Sequence, residues 1–186
     1  MSPLCCLTMD ILFINLMAWT LACALAFVVY YSFDEYRINP DFNNQLHCLS
    51  GVILCNRPLF STLMCGFGGA VLLASVDKAR GDSYALVLLI LMFCGLLLVV
   101  HCDVRDYREL HFTSLGILMI TGTLYVSRMV HDPFSIIYFT ATGLFVFTLL
   151  VNVFFTRWVP PYMTVQALME MVWVAAFTVS VITAAV

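Results

Sequence analysis

The chain has 186 residues, of which 63% are apolar and only 10% are Asp, Glu, Lys or Arg, with a formal net charge of −3. Soluble domains carry about 25% charged residues, so this composition cannot cover a water-facing surface and excludes an ordinary soluble globule. With Lys and Arg together numbering 8, a nucleic-acid partner has no support.

The first 10 residues end at Asp10, and no charge follows until Asp34. A helix needs about 20 apolar residues to cross a bilayer core of roughly 30 Å, so Ile11 to Tyr31 is predicted to span. The small residues Ala22-Cys23-Ala24 and Ala24-Leu25-Ala26 also suit signal-peptide processing. No Lys or Arg precedes the run, however, and it exceeds the usual signal core of about 7 to 15 residues, which favours an uncleaved span.

A second run, Pro58 to Val76, opens on a residue suited to a first helical turn and ends at the polar turn Asp77-Lys78-Ala79-Arg80-Gly81-Asp82. Within it, Cys65/Gly69 and Gly66/Ala70 place small residues four apart, a pattern for close helix packing. The third run, Tyr84 to Val100, stops at His101-Cys102-Asp103. The fourth begins at His111 or Phe112 and reaches about Val130, with Arg128 near enough to the end to extend to the headgroups. After His131-Asp132-Pro133, the fifth run covers Phe134 to Phe155. Trp158-Val159-Pro160-Pro161-Tyr162 then interrupts, with aromatics suited to an interfacial belt. The sixth covers Met163 to Val186. The expected fold is all-α: one polytopic transmembrane bundle over residues 1–186 with about six spanning helices, since backbone groups in lipid must be satisfied within each helix.

Cys23, Cys65 and Cys94 fall within predicted spans, where a thiol is usually a small packing group. Cys48 and Cys55 share the first loop and can close a disulfide if that loop is lumenal, with Cys102 as a competitor; two free thiols are the alternative. Cys5 and Cys6 are S-acylation candidates if cytosolic. No cysteine spacing matches a zinc or redox motif.

Residues His101 to His111 gather His101, Asp103, Asp106, Glu109 and His111, enough N and O donors for a divalent metal in principle. Arg105 and Arg108 among them oppose a cation and favour a solvated, internally paired connector. Glu170 is more telling, because a carboxylate inside a spanning helix normally faces the bundle interior or a water-filled cavity. Its candidate partners are His111, Arg157, Gln166 and Asn152. Haem ligation is disfavoured because His47, His101, His111 and His131 all fall in loops or at span ends. No cofactor is expected, and no phosphate loop, nucleophile elbow, zinc-protease motif or glycosylation sequon occurs.

Gly95-Leu96-Leu97-Leu98-Val99-Val100, the polar connector, Leu110-His111, Gly116 and Leu124-Tyr125-Val126 together resemble the middle of the six-span damage-regulated autophagy modulator family and its relatives in GPI-lipid remodelling. Gln166-Ala167-Leu168-Met169-Glu170-Met171-Val172-Trp173 is similar to the segment that opens the family's last span with an acidic residue. The likeness covers the C-terminal half; in the first loop only Ile38-Asn39-Pro40-Asp41 is similar to the family's Pro- and Ser-containing loop. It implies cytosolic termini and lumenal or extracellular first, third and fifth loops. That orientation puts Lys78, Arg80 and Arg128 on the cytosolic side against Arg37, Arg57, Arg105, Arg108 and Arg157 opposite, mildly against the positive-inside rule.

Two function classes follow. One is a non-enzymatic modulator in lysosomal, Golgi or plasma membranes, working through lipids or other membrane proteins, as the resemblance implies. The other is a small transporter, channel or lipid-handling protein in which Glu170 and His111 line a polar cavity, with Asp106, Glu109 and Asn152 as further candidates. A structural subunit of a larger membrane complex is a third possibility.

Overall fold

A computed structural model of the chain describes residues 14, 16–28, 30–31, 57–102, 106–154 and 165–183. Among these residues all regular structure is helical. In chain order the elements are α1 (Leu16–Val28), α2 (Arg57–Lys78), α3 (Ser83–His101), α4 (Arg108–Met129), α5 (Phe134–Phe154) and α6 (Val165–Thr183). Among the described residues four helices are long and apolar enough to cross a membrane: Arg57–Val76, Ser83–His101, Arg108–Met129 and Phe134–Val151. At about 1.5 Å per residue such helices match a hydrocarbon core of roughly 30 Å. The apolar stretches of α1 and α6, Leu16–Val28 and Leu168–Val181, are shorter within the described residues. The predicted spans 11–31 and 163–186 are therefore seen only in part.

Neighbouring helices run antiparallel. Ala18 of α1 packs on Ala70, and Leu21 lies against Gly66 of α2. Gly68 of α2 meets Phe93 and Leu96 of α3, and Gly95 of α3 meets Ser114 and Leu118 of α4. Trp173 of α6 reaches Thr142 of α5, while Ser180 reaches the Phe134 carbonyl at the opposite end. The small-residue face expected on α2 is thus half realised. Gly66/Ala70 packs against α1, but a Cβ added at Gly69 would meet nothing within 4 Å. The tight approach to α3 is made by Gly68 instead.

The α2–α3 connection is the predicted polar turn, shortened because α2 continues through Lys78. Gly81 has φ 91°, a conformation that favours glycine. Asp82 then caps α3, its Oδ1 accepting from the Tyr84 and Ala85 amides at 3.1 Å each. At the fourth span the sequence expectation is corrected: α4 starts at Arg108, one turn before the apolar run begins. Hydropathy marks where the chain becomes apolar, whereas helix propensity already holds at Arg108-Glu109, with the Glu109 carboxylate suited to the first turn.

The bundle interior combines apolar side chains, among them Leu89, Val126, Tyr125, Tyr138 and Phe145, with buried hydroxyls. Ser75, Ser114, Thr121 and Thr178 each donate to the carbonyl four residues earlier in their own helix at 2.7 Å. Large apolar residues point the other way: Ile90, Ile120, Ile136, Phe147 and Leu150 are exposed on the outer faces.

Candidate functional site

Among the described residues, polar groups that could serve a function gather at the junction at the C-terminus of α3 and in a hydroxyl–aromatic network among α4, α5 and α6. Helix α3 ends with carbonyls that have no partner within the helix. Helices on both sides supply donors. Arg57, the first residue of α2, donates from Nη2 to the His101 carbonyl at 2.6 Å. His111, in the first turn of α4 and only 3% exposed, places Nδ1 3.0 Å from the Cys102 carbonyl. A carbonyl can only accept, so Nδ1 of His111 carries the proton. His101 uses its own Nδ1 on the Leu97 carbonyl at 2.9 Å. A guanidinium at this end also complements the partial negative charge of the helix terminus.

This arrangement corrects the reading of residues 101–111 as one solvated connector. His101 closes α3, Arg108 to His111 open α4, and His111 is buried because the helix carries it into the α3–α4 interface. Asp106 and Glu109 are exposed, as are Tyr107 and Arg108, whose guanidinium lies 5.9 Å from the Phe112 ring centre. Among the described residues no group of three or more His, Cys, Asp and Glu is placed to hold a metal. Asp103 and Arg105 lie outside the described residues, as do His47, Cys48, Cys55 and Arg157.

Glu170 is half-buried in the second turn of α6, flanked by Met169 and Met171, which pack on the apolar core. The antiparallel order puts it at the same end of the bundle as His111. Asn152 falls in the last turn of α5 and Gln166 in the first turn of α6; their side chains lie outside what the structure describes. Cys23 and Cys94 are exposed on outer faces, and Cys65 and Cys102 are half-buried free thiols.

The second region is less evident in the sequence. Tyr138 is fully buried, with its hydroxyl 3.3 Å from Thr123 Oγ1 and set over Gly122, where an added Cβ would stand 3.1 Å away. Trp173 Nε1 donates to Thr142 Oγ1 at 3.1 Å, and Thr142 donates on to the Tyr138 carbonyl at 2.8 Å. Phe145, Trp173 and Phe177 complete an aromatic stack, with ring centres 5.8 and 6.1 Å apart. The sequence shows isolated Thr and Tyr residues in apolar runs, and spacing within one helix does not reveal partners on another.

Two cavities lie beside this network. The larger, about 220 Å³, sits between α1, α2 and α6, and a smaller one of about 60 Å³ lies between α2, α3, α4 and α6. Neither takes a wall from Glu170 or His111. Comparison of the chain with protein-family models, with curated proteins and with solved structures finds no match.

Proposed function

We propose that the chain is a six-span integral membrane protein that acts through its contacts with lipids and other membrane proteins and has no catalytic centre of its own. The observation carrying this reading is the apolar outer surface of the bundle. Isoleucine, leucine and phenylalanine face outward, while the buried hydroxyls are satisfied inside the protein: Ser75, Ser114, Thr121 and Thr178 by their own helices, Ser135 by Asp132 and Ser180 by the Phe134 carbonyl. Hydrocarbon rewards that arrangement and water penalises it. Exposed aromatics at both bundle ends suit the two interfaces: Tyr30, Tyr31 and Tyr107 at one, Tyr84 under Arg128 at the other. In this reading α1 and α6 are the first and last spans.

The resemblance to the damage-regulated autophagy modulators supplies the narrower proposal. The protein resides in lysosomal, Golgi or plasma membrane with cytosolic termini, and modulates an endomembrane or lipid process such as autophagy. The polar groups near His111 are engaged as helix caps, which suits an architectural role better than turnover.

Reconstitution into vesicles separates this reading from a transporter or lipid-handling enzyme. The protein is expected to show no proton flux and no lipid turnover, with Glu170→Gln and His111→Gln altering thermal stability alone. Flux or turnover in the native protein that Glu170→Gln abolishes would overturn the proposal.

A further inference from the structure

The cavity between α1, α2 and α6 is walled by Ala22 and Leu25 of α1, Met64 and Phe67 of α2, and Met171 and Val174 of α6. Apart from the indole of Trp19, the one polar lining residue among the described residues is Thr178, whose hydroxyl is already committed to the Val174 carbonyl at 2.7 Å. Water entering this space would find fewer than the two to four partners it needs, so the cavity is dry or filled by something apolar. At about 220 Å³ it exceeds the roughly 150 Å³ known to accommodate benzene. Trp19, Ala26 and Ala175 line the cavity and are also exposed, so it opens sideways between α1 and α6 onto the apolar outer surface. Met64, Phe67 and Val174 also wall the smaller cavity, so these side chains stand between the two spaces.

We infer that this slot binds one acyl chain of a membrane glycerophospholipid, entering between α1 and α6 and running toward Phe67 in the bundle interior. The inference rests on the membrane-embedded reading given above and deepens it by naming the lipid contact. An acyl chain fits each feature. It carries no polar group to desolvate, the lateral mouth is continuous with the lipid-facing surface, and its torsional freedom lets it follow the walls of the chamber. Methionines lining the slot, Met64 and Met171, have the unbranched, adaptable side chains that conform to a flexible ligand.

The test is photolabelling of the full-length protein in nanodiscs containing a phosphatidylcholine with a diazirine in its acyl chain, mapped by peptide mass spectrometry. The slot predicts severalfold greater labelling at Ala22, Met64 and Met171 than at outward residues such as Ile90 and Phe147. It also predicts loss of that excess in Ala175→Phe and, independently, in Ala22→Phe, each plugging a different wall, with outward labelling kept as evidence of folding. Equal labelling of lining and outward residues in the native protein overturns the slot and leaves the membrane reading intact. Preferential labelling of the slot by a sterol diazirine overturns the choice of ligand. Labelling at neither set of residues overturns the membrane reading, and the slot with it.

Discussion

Gly95 of α3 and Ser114 of α4 lie so close that a Cβ atom on Gly95 would stand 3.3 Å from the Ser114 carbonyl oxygen, and equally near the Leu118 amide nitrogen. Backbone, unlike a flexible side chain, cannot step aside. Close approach of small residues is what drives helix association where lipid removes the hydrophobic force between helices. Replacing Gly95 with Leu should therefore separate α3 from α4 and cost about 1 to 3 kcal/mol. Gly143, exposed on α5 with open space at its Cβ, is the control. Thermal unfolding in detergent should show a large loss for Gly95→Leu and little change for Gly143→Leu; equal effects would contradict the packing.

The Trp173–Thr142 hydrogen bond ties α6 to α5 within the network around Tyr138. Interhelical hydrogen bonds of this kind average about 0.6 kcal/mol by double-mutant cycle, with a maximum near 1.7. A cycle of Trp173→Phe and Thr142→Val, measured by unfolding in mixed micelles, should give a coupling in that range. A coupling of zero would mean that Trp173 is held by its ring contacts with Phe145 and Phe177 alone.

Asp82 serves two helices at once, capping α3 with one oxygen and pairing with Arg128 of α4 through the other. The hydrogen bond from Arg128, followed by that from the Ala85 amide, holds the Asp82 carboxyl below its ordinary value of 3.8. A depressed folded value means that the stabilisation is present above pH 3.8 and is lost as pH falls through the lower, folded value. Asp82→Asn keeps a capping side chain and removes the charge. The stability gap between the native protein and the Asp82→Asn variant should stay flat from neutral pH to about 4 and close below it. It should also narrow in high salt, because the pair is solvent-exposed. A gap that persists in strong acid would contradict the pairing.

Much of the helical layout was legible because the signal is additive along the chain: each apolar run sums over some twenty residues, and the observed α2, α3 and α5 begin and end within two residues of the apolar limits. The Asp77–Asp82 and His131–Pro133 turns were legible for the same reason, since charges and proline interrupt those runs. Helix α4 began early because Arg108 and Glu109 are good helix formers that hydropathy does not count. The candidate site was less legible. Arg57 reads as a charge before a span, and only its position beside the end of α3 makes it a cap for His101. Gly68 and Gly95 look like ordinary residues in apolar runs, and the facing helix decides which glycine is the contact. His111 stands out in the sequence, but its partner is the backbone carbonyl of Cys102, which no side-chain pattern encodes.

In the proposed topology the chain crosses a bilayer six times with both termini in the cytosol. Acceptor sequons carried on short hydrophilic extensions, inserted one at a time at residues 45, 80, 104, 132 and 160 and translated with microsomes, test it directly. Modification at 45, 104 and 160, with 80 and 132 unmodified, is the predicted result. Modification at every site, or at none, would mean that the polypeptide lies wholly on one side of the membrane and would contradict the account.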